Sequence, residues 1–389
     1  MTRMTVVYAQ EIPPKTWSKA VFLVGPSPRS KDVPSWRPEA LSLLDEYGYD
    51  GVVFVPESRP EEYGSTHHRF DYINQIEWEE KWLHASDGII AWVPRDREKL
   101  PGFTTNVEFG VWQNSGKLSF GAPEDAWKMG YLRYYATKLG VPTSTTLRGT
   151  IQNALQQIGS GARRSGGQRE VPLHIWRTPQ FQEWFDDMKA AGNTLNHARV
   201  EWVYQLPMQE KPVFYYALRV DVHVAAERRS QRGIVLARPD VVAAILFKKG
   251  KTLEDSTVVL ARNFQASVSN AVGYVYQLPG GIYLPPPAPD LVVKECIEKI
   301  GLTIDPARVR FQGTRQLLAT MSSHAALLFG VEMTDAELKW LRDKKERGDN
   351  FSTGQNGEQI FVELCRVGDI LKRGLVDWST LGQVLAVVR

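Results

Sequence analysis

Residues 20–55 read AVFLVGPSPRSKDVPSWRPEALSLLDEYGYDGVVFV. The run Ala20–Val24 is apolar throughout, so it reads as a strand covered on both faces. Pro38–Tyr47 follows as a helix, with Ala40, Leu43 and Leu44 on one face. Gly51–Val55 is a second strand of the same kind. Working outward, Tyr72–Ala85 reads as a helix whose apolar face is Ile73, Ile76 and Leu83. Gly88–Val93 (GIIAWV) is a third strand and Asn106–Ser115 a further helix. Lys117–Gly121 and Tyr131–Leu139 repeat the pair. Strands alternating with helices predict a parallel α/β sheet. Such sheets bind ligands beyond the carboxyl ends of their strands, which directs attention to the loops after Val24, Val55 and Val93.

The pattern breaks at Gly159–Gln168 (GSGARRSGGQ). Gly and Ser there predict a flexible linker, with Arg163-Arg164 a solvated charge pair. The expected organisation is a domain over 1–158, a linker over 159–169 and a second domain over 170–389. Beyond the linker, His174–Arg177 and Val200–Tyr204 read as short strands around a helix at Thr178–Ala191. Val213–Val224, Gly233–Ala237, Val241–Lys248, Thr257–Arg262, Gly273–Gln277 and Ala325–Met333 read as strands. Pro289–Ile300 and Asp335–Lys345 read as helices, the latter charge-laced and exposed. This is an α+β pattern rich in antiparallel strands. Trp378 is expected to anchor the last helix to the core.

Composition narrows the classes. Lys and Arg number 47 against 44 Asp and Glu, a net charge of +3 that predicts no nucleic-acid or membrane partner. Cys296 and Cys365 are too few for a disulfide scaffold and lack zinc-ligand spacing. There is no apolar run of membrane-spanning length, and residues 1–14 contain no apolar leader segment. A cytoplasmic protein is the expectation.

Several polar groups converge on the edge of the first sheet. Gly25 lets the backbone approach a ligand, and Ser27 and Arg29 offer polar groups beside it. Asp87 precedes the third strand, and Trp92 and Arg95 end it. Asn106 and Glu108 open the next helix, whose N-terminus favours an ionised Glu108. A carboxylate in such a crevice can act as nucleophile at a sugar anomeric carbon, with Asp87 handling the proton of the leaving base. Taken singly, Glu108 reads equally as a first-turn helix acid, Asp87 as a turn residue and Asn106 as an N-cap.

The ordered set Val21–Arg29, Trp36-Arg-Pro-Glu39, Gln75-Ile-Glu-Trp-Glu79, Ala85-Ser-Asp87, Trp92-Val-Pro-Arg95 and Leu100–Gly110 (LPGFTTNVEFG) resembles the nucleoside 2-deoxyribosyltransferase family over about residues 18–155. It is most similar to the branch that contains nucleotide N-glycosidases. The resemblance implies a flavodoxin-like sheet, Glu108 as covalent nucleophile and Asp87 near the base or the proton-transfer site. It places Gly25 against the sugar, with Ser27, Arg29, Trp92, Arg95 and Asn106 as substrate-binding positions. Arg29 or Arg95 would take a phosphate or the base. A small-molecule nucleoside or nucleotide substrate, no cofactor and a homo-oligomer are the accompanying expectations. The leading expectation is cleavage of the N-glycosidic bond of a nucleoside or nucleoside monophosphate; 2′-deoxyribosyl transfer, NAD or ADP-ribose chemistry, and a non-catalytic nucleotide sensor are the alternatives.

In the second half, Leu278-Pro-Gly-Gly281 followed by Lys294-Glu-Cys-Ile-Glu-Lys-Ile-Gly-Leu302 resembles a Nudix box. Glu295 and Glu298 match the family's metal ligands and share a helix face. Pro286, Lys294 and Lys299 depart from the pattern, Lys299 putting an ammonium where a carboxylate belongs. The expectation is a Nudix-like fold with a degenerate box, in which Glu295 and Glu298 are vestigial ligands. The first domain shows no metal ligand set. His67-His68 reads as a loop pair and His324 as a structural histidine.

Overall fold

The computed structural model describes residues 4–28, 32–59, 72–206, 212–269, 272–282, 289–348, 351–353 and 359–389. Arg29, His67, His68 and Pro286 lie outside the described residues. The chain forms two compact units, Met1–Ala237 and Arg238–Arg389. The boundary expected at 159–169 therefore falls inside the first unit.

The first unit begins with β1 (Thr5–Tyr8), β2 (Thr16–Trp17), β3 (Ala20–Val24), α1 (Arg37–Glu46) and β4 (Val52–Val55). It continues with α2 (Tyr72–Ala85), β5 (Gly88–Trp92), α3 (Phe103–Trp112), β6 (Leu118–Gly121), α4 (Gly130–Lys138), β7 (Thr143–Ser144) and α5 (Leu147–Ile158). Six of these strands form a parallel sheet in the order β1-β4-β3-β5-β6-β7. Leaving edge strand β1 aside, the order is that of a flavodoxin-like sheet, and the winding reverses between β3 and β5. Both faces are covered, as the unbroken apolar runs require. Phe22, Phe54 and Ile89 pack with Leu83 of α2 and Phe109 of α3. Val21, Val53 and Ile90 pack with Leu44 of α1 and Ile151 of α5.

Three local expectations change. Helix α3 starts at Phe103, because Gly102 takes a left-handed φ of 58° and turns the chain there. Asn106 is consequently inside the helix. On α2, Ile73 and Ile76 are exposed, and Trp82, Leu83 and Ala85 are the buried residues. Residues 159–169 are ordered by pairing, since β8 (Arg164–Ser165) lies antiparallel to β2. Arg164 is fully buried, contrary to a solvated charge pair.

The unit ends with α6 (Leu173–Trp176), α7 (Pro179–Ala190), β9 (Thr194–Gln205), β10 (Val213–Val224) and β11 (Arg229–Ala237). Residues expected as a strand at His174–Arg177 thus include the short helix α6. The three strands form an antiparallel meander in the order β11-β10-β9, and Phe181 and Phe185 of α7 pack with its Leu218 and Val220.

The second unit contains β12 (Val241–Lys248), β13 (Thr257–Phe264), β14 (Tyr274–Gln277), β15 (Gly280–Ile282), α8 (Pro289–Ile300), β16 (Arg310–Gln316) and β17 (Ala325–Glu332). It ends with α9 (Asp335–Glu346), β18 (Phe351–Thr353), β19 (Gln359–Arg366), α10 (Val367–Arg373) and α11 (Trp378–Val388). Its sheet is mixed, with β12 parallel to β17 and antiparallel to β13. Successive residues of β12 serve opposite layers. Val242, Ala244 and Leu246 pack with Val292 of α8 and Leu338 of α9. Ala243, Ile245 and Phe247 pack with Ile370 of α10 and Val384 of α11. Trp378 is 88% exposed and anchors nothing, because α11 is held instead by Val384, Val387 and Val388. His324 is a structural histidine, bonded through Nδ1 to the Ser322 hydroxyl at 2.6 Å.

Candidate active site

One cluster of candidate residues forms where β3, β4 and β5 end. Gly25 follows β3 with a φ of 155°, and a Cβ there would lie 2.1 Å from the Trp92 carbonyl oxygen. Only glycine fits so close an approach. The loop it begins wraps the buried guanidinium of Arg37. Nη2 of Arg37 donates to the Gly25 carbonyl at 2.9 Å, and Nη1 donates to Ser27 Oγ at 3.1 Å and to Glu57 Oε1 at 2.5 Å. Arg95, after β5, donates to the Gly102 carbonyl at 3.2 Å and to Asn106 Oδ1 at 2.6 Å. That tie fixes the first turn of α3 against the strand ends. Gly25, Ser27, Trp92, Arg95 and Asn106 are thus brought to one edge.

Glu108 stands one half-turn after Asn106 on α3, partly buried. It lines a cavity of about 670 Å³ together with Glu79 of α2, Thr104 and Val107. Burial pushes its carboxyl up to about 7, the Glu79 charge pushes the same way, and Arg37 opposes both. Burial also raises the Glu79 carboxyl, whose Oε1 accepts from Gln75 Nε2 at 2.7 Å. Two carboxyls raised by burial in one cavity, with a cation near, can divide the roles of nucleophile and proton carrier.

Asp87, expected near the base or the proton-transfer site, is held in a different setting. It precedes β5 at the amino end of the sheet. Its side chain is fully buried, and four donors fill its two oxygens. Arg164 donates from Nη1 at 2.9 Å and Nη2 at 2.6 Å, and the backbone amides of Ala20 and Leu173 each donate at 2.8 Å. A carboxylate so saturated is a structural latch. The residues that reading by sequence left without a role are Glu79 and Arg37. Both sit within motifs already singled out, at Gln75–Glu79 and Trp36–Glu39. The signal was local in each case, but which end of the sheet it reached was not.

In the second unit, Lys299 Nζ lies 3.4 Å from Glu295 Oε2 and donates to the Gly280 carbonyl. Glu298 is 3.8 Å from Lys294. The two acidic residues therefore have lysine partners. Among the described residues no group of three or more His, Cys, Asp or Glu is placed to hold a metal ion.

The fold and these residues define a mixed α/β protein with a carboxylate pair in a cavity lined by the helices α2 and α3 that cover one face of its parallel sheet. Residues 18–126 match the model of a family described as nucleoside 2-deoxyribosyltransferase like. At family level the match suggests an enzyme of glycosyl transfer or cleavage acting on small-molecule nucleosides. No curated protein matches the chain. Among the described residues no helix is long and apolar enough to cross a membrane.

Proposed function

We propose that the first unit cleaves the N-glycosidic bond of a nucleoside or nucleoside monophosphate, with Glu108 as nucleophile. The observation that carries this reading is the cavity that Glu108 of α3 and Glu79 of α2 share, with the Arg37 charge acting on Glu108. In the first step the ionised Glu108 attacks C1′. The C1′–N bond breaks, its electron pair leaves with the base, and Glu79 supplies the proton. In the second step Glu79 takes a proton from water, whose oxygen attacks C1′ and frees Glu108. Transfer differs only in that a second base makes this attack. A chromatographic screen for free base, over nucleosides, their monophosphates and NAD, tests the reading. Release from monophosphates without an acceptor supports hydrolysis. Exchange that needs an added base makes the protein a transferase, and release from no substrate removes the proposal.

The pair should show itself in the pH profile. Glu108 must be ionised to attack and Glu79 protonated to release a base that needs a proton, so kcat/KM should rise as Glu108 ionises and fall as Glu79 loses its proton; with a base that leaves unprotonated only the rising limb, through about 7, should remain. The two carboxyls titrate as a unit, so Glu79→Gln should remove the repelling charge and move this limb to lower pH. A limb that stays near 7 in Glu79→Gln, measured with a base that leaves unprotonated, would show that the carboxyls do not interact.

For the second unit we infer a Nudix-like domain without metal-dependent turnover. The Lys299–Glu295 pair supports this, because the ammonium occupies an oxygen that a hard cation would need. Magnesium-dependent hydrolysis of ADP-ribose or nucleoside triphosphates should be undetectable. Robust turnover that is lost in Glu298→Gln is the contrary result.

A further inference from the structure

The cavity that holds Glu108 has a second end, built by residues beyond the family-matched segment. His174 of α6 and Val200, Trp202 and Val203 of β9 line it opposite His84 and Trp112. Both ring nitrogens of His174 are buried, and neither has a hydrogen-bond partner among the described residues. Buried polar atoms are normally paired, so an imidazole left open beside a cavity is suited to a ligand. Burial, with the charges of Lys117 and Arg177, holds this ring at about 3, so it is neutral and offers one donor and one acceptor. His84 is held at about 3 by burial and by Lys117 and Arg199, and it meets Trp112 edge to face at 4.6 Å. Trp202 is 54% exposed and stacks on Tyr204 with centroids 6.3 Å apart.

The cations at this end are engaged. Lys117 Nζ donates to the carbonyls of Leu83, His84 and Ser86 at 2.5, 2.7 and 2.9 Å. Arg199 pairs with Glu80 at 3.0 Å. An anionic phosphate is poorly served by neutral imidazoles and occupied cations. A flat, uncharged heterocycle with donors and acceptors on its edge suits the same walls.

We propose that this end is the nucleobase subsite, in which His174 hydrogen-bonds the base edge and Trp202 covers a base face. The inference rests on the reading of Glu108 as the nucleophile at C1′. It makes the sheet after α7 a determinant of base selectivity.

The test is calorimetric titration of the full chain with adenine, hypoxanthine, cytosine, uracil and thymine, alongside base release from the matching nucleosides and monophosphates. Trp202→Ala, His174→Phe and Glu108→Gln are compared with the unmodified protein. At least one base should bind. Trp202→Ala and His174→Phe should each weaken it about tenfold, the scale of one lost hydrogen bond or stacking contact. Glu108→Gln should keep base affinity within about twofold. Trp202 lies on the surface, so its variant tests the subsite even if His174→Phe fails to fold. Base affinities unchanged in both wall variants, with release intact, overturn the subsite and leave the glycosidase reading standing. Base binding that depends on Trp202 and His174 without any release supports the subsite and sinks the glycosidase reading. No binding and no release overturn both.

Discussion

Glu108→Gln is expected to abolish base release and, at the same time, to stabilise the fold at alkaline pH. Removing a covalent nucleophile typically costs several orders of magnitude in rate, on the order of 4 kcal/mol or more. A variant that keeps more than about a tenth of the activity has lost under about 1.4 kcal/mol and removes Glu108 from that role. The stability effect follows from linkage. The native carboxyl titrates at about 7 against an ordinary 4.5, so the native state binds more protons than the unfolded chain between those values. The contribution of Glu108 to stability is greatest below pH 4.5 and is lost as pH rises through 7. The full shift corresponds to about 3 kcal/mol, and partial exposure reduces this to about 1–3 kcal/mol. Glutamine is uncharged throughout. Urea denaturation of the two proteins should therefore diverge between pH 5 and 8 in favour of the variant and stay parallel above that. An equal difference at pH 5 and pH 8 would show that Glu108 carries no such strain.

Asp87→Ala should destabilise the first unit by about 3–5 kcal/mol, because it leaves the Arg164 guanidinium buried without its counter-charge. For a unit of this size that lowers the melting temperature by about 6–20 °C. Replacing both partners, as in Asp87→Ala with Arg164→Met, should recover much of the loss, since a buried pair costs more to halve than to delete. Specific activity per folded molecule should be little changed in Asp87→Asn. Loss of base release with an unchanged melting temperature would instead place Asp87 in the chemistry.

These two acids show how far local reading reaches. The place of Glu108 on a helix following β5 was legible because strand, turn and helix lie within a short stretch. Asp87 has the same local credentials, an acid beside a strand of the same sheet. Yet it sits one residue before β5, so the parallel sheet carries it to the amino end, away from Gly25, Trp92 and Asn106. Its partner Arg164 is 77 residues away in a stretch whose glycines and serines read as a linker. Composition describes the freedom of that backbone, while its order comes from pairing with β2 and from burial of one guanidinium.

What the sequence determined by itself is the set of elements and the layering. Apolar runs such as AVFLV and GVVFV can be satisfied only by cover on both faces, and helical spacing in Ala40, Leu43 and Leu44 supplies one side of it. What the tertiary structure alone decided is which groups meet. Glu79 becomes the partner of Glu108 because α2 and α3 pack on the same face of the sheet. His174 and Trp202 reach their cavity through α6 and an edge strand far along the chain. Ile73 and Ile76 are exposed where an apolar stripe was expected, and Ile76 lines that cavity. Hydrophobic periodicity is a property of neighbours along one element, and a site is a property of side chains that long-range packing brings together.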